Sequence, residues 1–124
     1  MNVLECIDPG TKTYGKGKAG NTGWAWFIDA RLVACGVGRW DQVPVGGPGV
    51  TVVIERPQVY RAVRSKGDPN DMVKLAWVAG EIAQRARAAG STVGSVEDMP
   101  RPADWKGSIE KTIMTARILE MLTP

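Results

Sequence analysis

The segment Val50-Thr-Val-Val-Ile54, closed by Glu55, limits what this chain can fold into more than any other feature. A run this rich in β-branched residues has the composition of a strand buried on both faces, as strands are inside parallel sheets. Upstream, Val3 to Ile7 reads as a first strand, closed by the turn signal Asp8-Pro9-Gly10. Trp24 to Asp29 and Leu32 to Val37 read as two more strands, with Ala30-Arg31 as the hairpin between them. Thr11 to Gly23 is glycine-rich and without periodicity, so it reads as a loop. Trp40 to Gly49 holds two prolines and three glycines, which excludes a helix there.

Downstream, Pro57 to Lys66 is a basic loop, and Asp68-Pro69 is a helix start, an N-cap acid followed by proline at the first helical position. The helix is expected to run to about Ala89 and to stop at Gly90. Met72, Leu75, Ala76, Ala79, Ile82, Ala83 and Ala86 share one stripe, which should face the sheet. Ser91 to Val96 is a weak strand. After a proline-rich link, Ser108 caps a last helix whose apolar positions include Ile109, Ile113, Ala116 and Leu122. The order is a meander of three strands, a crossover, a strand, a helix, a strand and a helix. That order predicts an α/β fold with a mixed sheet.

The 124 residues suffice for a single domain, 1–124, and are too few for two. No stretch approaches the roughly 20 apolar residues that span a bilayer, and no signal peptide is expected, since the N-terminus runs straight into a strand. Two cysteines, Cys6 and Cys35, are too few for a disulfide scaffold, so a reducing cytoplasm is the expected setting. The chain has no histidine, which excludes histidine-based triads and histidine metal sites. A metal would have to sit on oxygens, which favours Mg²⁺ or Mn²⁺.

Asp8 and Glu55 are the candidates to hold it. Each stands where a strand ends, and if the two strands are parallel neighbours the ends lie about 5 Å apart. Two carboxylates that close repel unless a cation or a proton intervenes. Singly each has an ordinary explanation: Asp-Pro-Gly is a common turn, and Glu55 could pair with Arg56. The net charge of +3 points weakly to a polyanionic partner, and the placement of the cations says more. Lys12, Lys16 and Lys18 occupy the loop after Asp8, and Arg56, Arg61 and Arg64 surround Tyr60 in the loop after Glu55. Cations bind phosphate and an aromatic among them can stack on an unpaired base, although basic loops also serve solubility alone. The stretch Gly10 to Gly17 nearly spells a phosphate-binding P-loop, but no helix follows it to face the phosphates.

Four motifs in order carry a resemblance. Cys6-Ile7-Asp8-Pro9-Gly10, with Asn21-Thr22-Gly23-Trp24 opening the next strand, resembles the start of RuvC-type Holliday-junction resolvases. Val52-Val53-Ile54-Glu55, then Asp71 to Leu75 and Gly80, looks like their glutamate strand and following helix. Pro102 to Lys111 is similar to their lysine-bearing segment, especially in versions encoded by bacteriophages. The resemblance implies a ribonuclease H-like mixed sheet with flanking helices. It also implies Mg²⁺- or Mn²⁺-dependent, structure-selective cleavage of four-way or branched DNA by a homodimer. Asp8 and Glu55 would be catalytic metal ligands, Lys111 would offset charge on the scissile phosphate, and Lys106 would contact DNA.

Three departures stand against the family pattern. The loop after Gly10 is longer, and the stretch Trp40 to Gly49 replaces a crossover helix of cellular members. The family also places further acids on a helix beyond the part matched by Gly107 to Leu122, and this chain stops at Thr123-Pro124. The main alternative is therefore a resolvase-like protein that binds branched DNA and cuts it weakly or not at all. A YqgF-like RNA-processing nuclease is a third reading. Val73, Trp77, Gly80 and Gln84 form a second stripe on the long helix, a poor solvent face and a good seam for a second copy.

Overall fold

The computed structural model describes residues 1–11, 20–57 and 69–101. The last helix expected from Ser108 onward, and Asp68 as an N-cap, lie outside the described residues. Strand β1 (Val3–Asp8) pairs antiparallel with β2 (Thr22–Ile28), which pairs antiparallel with β3 (Arg31–Gly38). On the other side β1 pairs in parallel with β4 (Val50–Ile54), and β4 with the short β5 (Thr92–Val93). The five-stranded mixed sheet therefore runs β3-β2-β1-β4-β5, a meander with parallel strands added at its first member. The α/β class and the mixed sheet are as expected from the strand order.

Three boundaries moved. β2 begins two residues early because Gly23 pairs with Asp8, which itself belongs to β1. The hairpin turns at Asp29-Ala30, one residue before the expected pair, with φ of 49° and 68°. Positive φ at both central residues is what a two-residue hairpin needs to match the strand twist. Asp29 is also tied to Asn2 in both directions, its N–H donating to the Asn2 carbonyl at 2.8 Å and its Oδ1 accepting from the Asn2 N–H at 2.9 Å. β5 is two residues long rather than six, since Gly94 and a 3₁₀ turn (Val96–Asp98) bend the chain away.

Helix α1 (Pro69–Ala88) starts at the proline and ends as predicted. Gly90 at φ +89° lets the Ser91 N–H reach the Ala86 carbonyl and the Gly90 N–H reach the Arg87 carbonyl, the two bonds of a Schellman cap. Its buried residues are Val78, Ala79, Ile82, Ala83 and Ala86. The stripe is rotated slightly from the predicted one, admitting Val78 and leaving Ala76 exposed. These side chains meet Ile7, Val50, Val52 and Ile54 from one face of the sheet. The expectation that Val50–Ile54 is buried on both faces is corrected. Thr51 is exposed and Val53 half-buried, because the described elements pack on the opposite face.

The crossover from β3 to β4 does the work of a helix without being one. Trp40, Val43 and Val45 put apolar side chains from this loop into or against the core. Arg85 of α1 holds the loop, donating to the carbonyls of Trp40 at 2.6 Å and Val43 at 2.8 Å. Ser91 Oγ accepts the Gly47 N–H at 2.7 Å, and Glu5 Oε1 accepts the Gly46 N–H at 2.7 Å. Gly46 sits at φ +60° with Ser91 against it, so a side chain there would be both strained and blocked. Glu5 is fully buried at 0% exposure, and its Oε2 has no hydrogen-bond partner.

Candidate functional site

Because β1 and β4 are parallel with Ile7 opposite Ile54, the next residues of each, Asp8 and Glu55, come side by side. The ladder continues one step past β4, the Glu55 N–H donating to the Ile7 carbonyl at 2.9 Å. Alternation fixes the direction of both acids. Ile7 and Ile54 point into the core beneath α1, so Asp8 and Glu55 point to the other face, with Cys6 and Val53 one step behind them. There they border a cavity of about 500 Å³, whose wall also includes Trp24, Ala25 and Pro100. Asp8 is exposed at its rim and Glu55 is half-buried.

The rim is held from both sides. The buried Thr22 hydroxyl accepts the Gly10 N–H and donates to the Gly10 carbonyl, each at 3.0 Å. This closes the chain after Asp8-Pro9 back onto the start of β2. A Cβ at Gly10 would collide with Asn21, so only glycine fits the clamp. On the other side the Arg56 N–H donates to the Pro100 carbonyl at 2.8 Å, which brings the segment after β5 alongside Glu55. Burial first, and then the Glu5 carboxylate once it is ionised, push the Cys6 thiol up, so the cavity wall presents a neutral thiol rather than a soft thiolate ligand.

The donor set suits a hard cation. Two carboxylates on rigid neighbouring strand ends can hold one Mg²⁺ or Mn²⁺ whose remaining positions are filled by water. Among the described residues no group of three or more metal-binding side chains occurs, so a cation held by this pair would have an open shell.

Of the other residues singled out from the sequence, Arg56 stands half-buried next to Glu55. Lys12, Lys16, Lys18, Tyr60, Arg61, Arg64, Lys106 and Lys111 lie outside the described residues. Val73, Trp77, Gly80 and Gln84 are all exposed along α1, Val73 at 62% and Trp77 at 72%. Sequence reasoning missed Thr22 as the clamp on the Asp8 turn, and it missed Glu5. The Thr22-Gly23 dipeptide was visible as a motif, but its bond to Gly10 depends on β1 and β2 being paired. No helix among the described residues is long and apolar enough to cross a membrane. Neither a comparison with protein-family models nor one with curated proteins gives a match.

Proposed function

We propose that this chain is a resolvase-like protein that engages four-way or otherwise branched DNA and cleaves it with the help of Mg²⁺ or Mn²⁺. One observation carries the reading: Asp8 and Glu55, distant in sequence, stand side by side at the ends of two parallel strands, above an open cavity. The strand order, a three-stranded meander with parallel strands added beside β1, is compatible with a ribonuclease H-like sheet. When bound, a divalent cation supplies an activated water and neutralises charge on the phosphodiester. Asp8 and Glu55 hold and orient it. Arg56, Lys12, Lys16, Lys18, Arg61, Arg64 and Lys106 bind phosphates, Tyr60 stacks on an unpaired base, and Lys111 offsets charge at the scissile phosphate. A homodimer seam along Val73, Trp77, Gly80 and Gln84 matches the two-fold symmetry of a junction.

A second reading, binding without efficient cutting, is favoured by the count of ligands. Two-metal cleavage needs both ions fixed about 4 Å apart, and among the described residues two carboxylates converge. Calorimetry with Mn²⁺ and gel shifts with a four-way junction test both readings. Mn²⁺ binding that Asp8→Asn abolishes, with tighter binding to junction than to duplex, supports the site and the partner. Equal Mn²⁺ binding by the variant, or equal affinity for the two DNAs, sinks the proposal.

A further inference from the structure

We propose that Glu5 is a proton-operated latch on the β3–β4 crossover. It rests on no assumption about nucleic acid. Glu5 lies on the sheet face opposite Asp8 and is wholly buried. One of its oxygens closes the loop, taking the Gly46 N–H at 2.7 Å, and the other has no hydrogen-bond partner. A buried carboxylate normally has all of its oxygens hydrogen-bonded or faces a committed cation. Glu5 keeps one oxygen unpaired and has no cation committed to it, so burial favours the neutral acid here even with the Gly46 N–H, the Trp26 indole and Arg85 acting on the carboxyl.

The surroundings decide what ionisation would do. β2 offers Trp26 directly opposite Glu5, whose indole lowers the carboxyl's pKa somewhat, and β4 offers the apolar Val52. Next along β1 is the Cys6 thiol. The loop contributes Arg39 and Asp41, paired with each other at 3.0 Å on the surface. From α1 comes Arg85, the cation that acts on Glu5. Burial outweighs the Gly46 N–H, Trp26 and Arg85 together and pushes the carboxyl up from its ordinary range.

Arg85 is already in use. Its guanidinium holds the carbonyls of Trp40 and Val43, the residues that seat the first half of the loop. When Glu5 gives its proton to solvent, the new charge competes for that guanidinium. As Arg85 turns toward it, the two carbonyls lose their donor and the loop loosens from the core. Protonated Glu5 leaves Arg85 on the loop, and the crossover stays shut. Since the loop leads directly into Val50, the latch acts on the strand that ends at Glu55.

NMR on the whole chain tests this. The Glu5 side-chain carboxyl carbon and the amides of Gly46 and Gly47 are followed against pH, with the Trp40 indole as a third probe. The expected result is one shared midpoint, above the ordinary carboxylate range. Exchange protection of the two glycine amides, corrected for the intrinsic pH dependence of exchange, should fall on the order of tenfold across it. Glu5→Gln should remove the midpoint and leave the loop protected throughout. A loop that titrates equally in Glu5→Gln overturns the latch. If that variant does not fold, the wild-type carboxyl decides alone. Ionisation in the ordinary range, or ionisation without loss of loop protection, overturns it as well.

Discussion

Asp8 and Glu5 share one short strand and meet opposite conditions. Asp8 is at the rim, exposed, and its neighbours on that face leave room for a ligand. Glu5, three residues earlier, lies beneath the crossover with one oxygen unpaired. Its raised pKa has a definite sign in stability. Between the unfolded value near 4.5 and the higher native value, the native state holds the extra proton. Stability from this group is therefore full below about pH 4 and is lost as pH rises through the native value. Denaturant titrations should show Glu5→Gln gaining stability relative to wild type as pH increases, and a constant difference would remove the argument. Thr22 gives a second measurement. Thr22→Val leaves the buried Gly10 N–H and carbonyl without their partner, which should cost about 1–3 kcal/mol in urea unfolding. It should also weaken Mn²⁺ binding, since the turn that holds Asp8 is no longer tied down.

At the scale of elements, the two faces of α1 differ in burial. Its inner face buries Ile82 completely, and Ile82→Ala should lower stability by about 2–5 kcal/mol, read from the urea midpoint. Its outer stripe leaves Trp77 and Val73 in solvent. Trp77→Glu should leave the urea midpoint nearly unchanged while converting a sedimenting dimer to monomer, and a monomeric wild type at micromolar concentration would reject the seam. Elements whose identity depends on their own residues were legible in the sequence. Val50–Ile54 and the Pro69 start and Gly90 stop of α1 match because β-branching, proline and glycine act locally. The hairpin was misplaced by one residue because Ala30 carries no sign that it will take a positive φ. The crossover's role was not legible at all. Its anchors, Glu5, Arg85 and Ser91, come from distant parts of the chain, and no local pattern announces them.

For the molecule as a whole, the candidate site depends on one pairing choice. The two acids could be picked out in the sequence, but they form a site only if β1 and β4 are parallel neighbours, and the sheet order supplies that condition. Two converging carboxylates favour the proposed reading in which DNA is held over the one in which it is cut. We expect junction binding that weakens steeply with salt, since phosphate contacts release counterions. We expect Mg²⁺-dependent nicking of a labelled junction to be very slow. Rapid nicking that Asp8→Asn abolishes would show that another acid of this chain completes the site.

The same pairing also sets a timetable. The β1-β2-β3 meander joins strands that follow one another, whereas β1 meets β4 only after the whole meander and crossover have been threaded between them. Contacts between distant segments carry the larger loop-closure cost and tend to form late. We therefore expect Asp8 and Glu55 to be brought together near the end of folding, after the barrier's summit. A ligand held by both stabilises the finished state and not the transition state. Stopped-flow chevrons with and without Mn²⁺ should show slower unfolding and an unchanged refolding limb. Faster refolding would mean that β4 docks early and that the order of assembly is reversed.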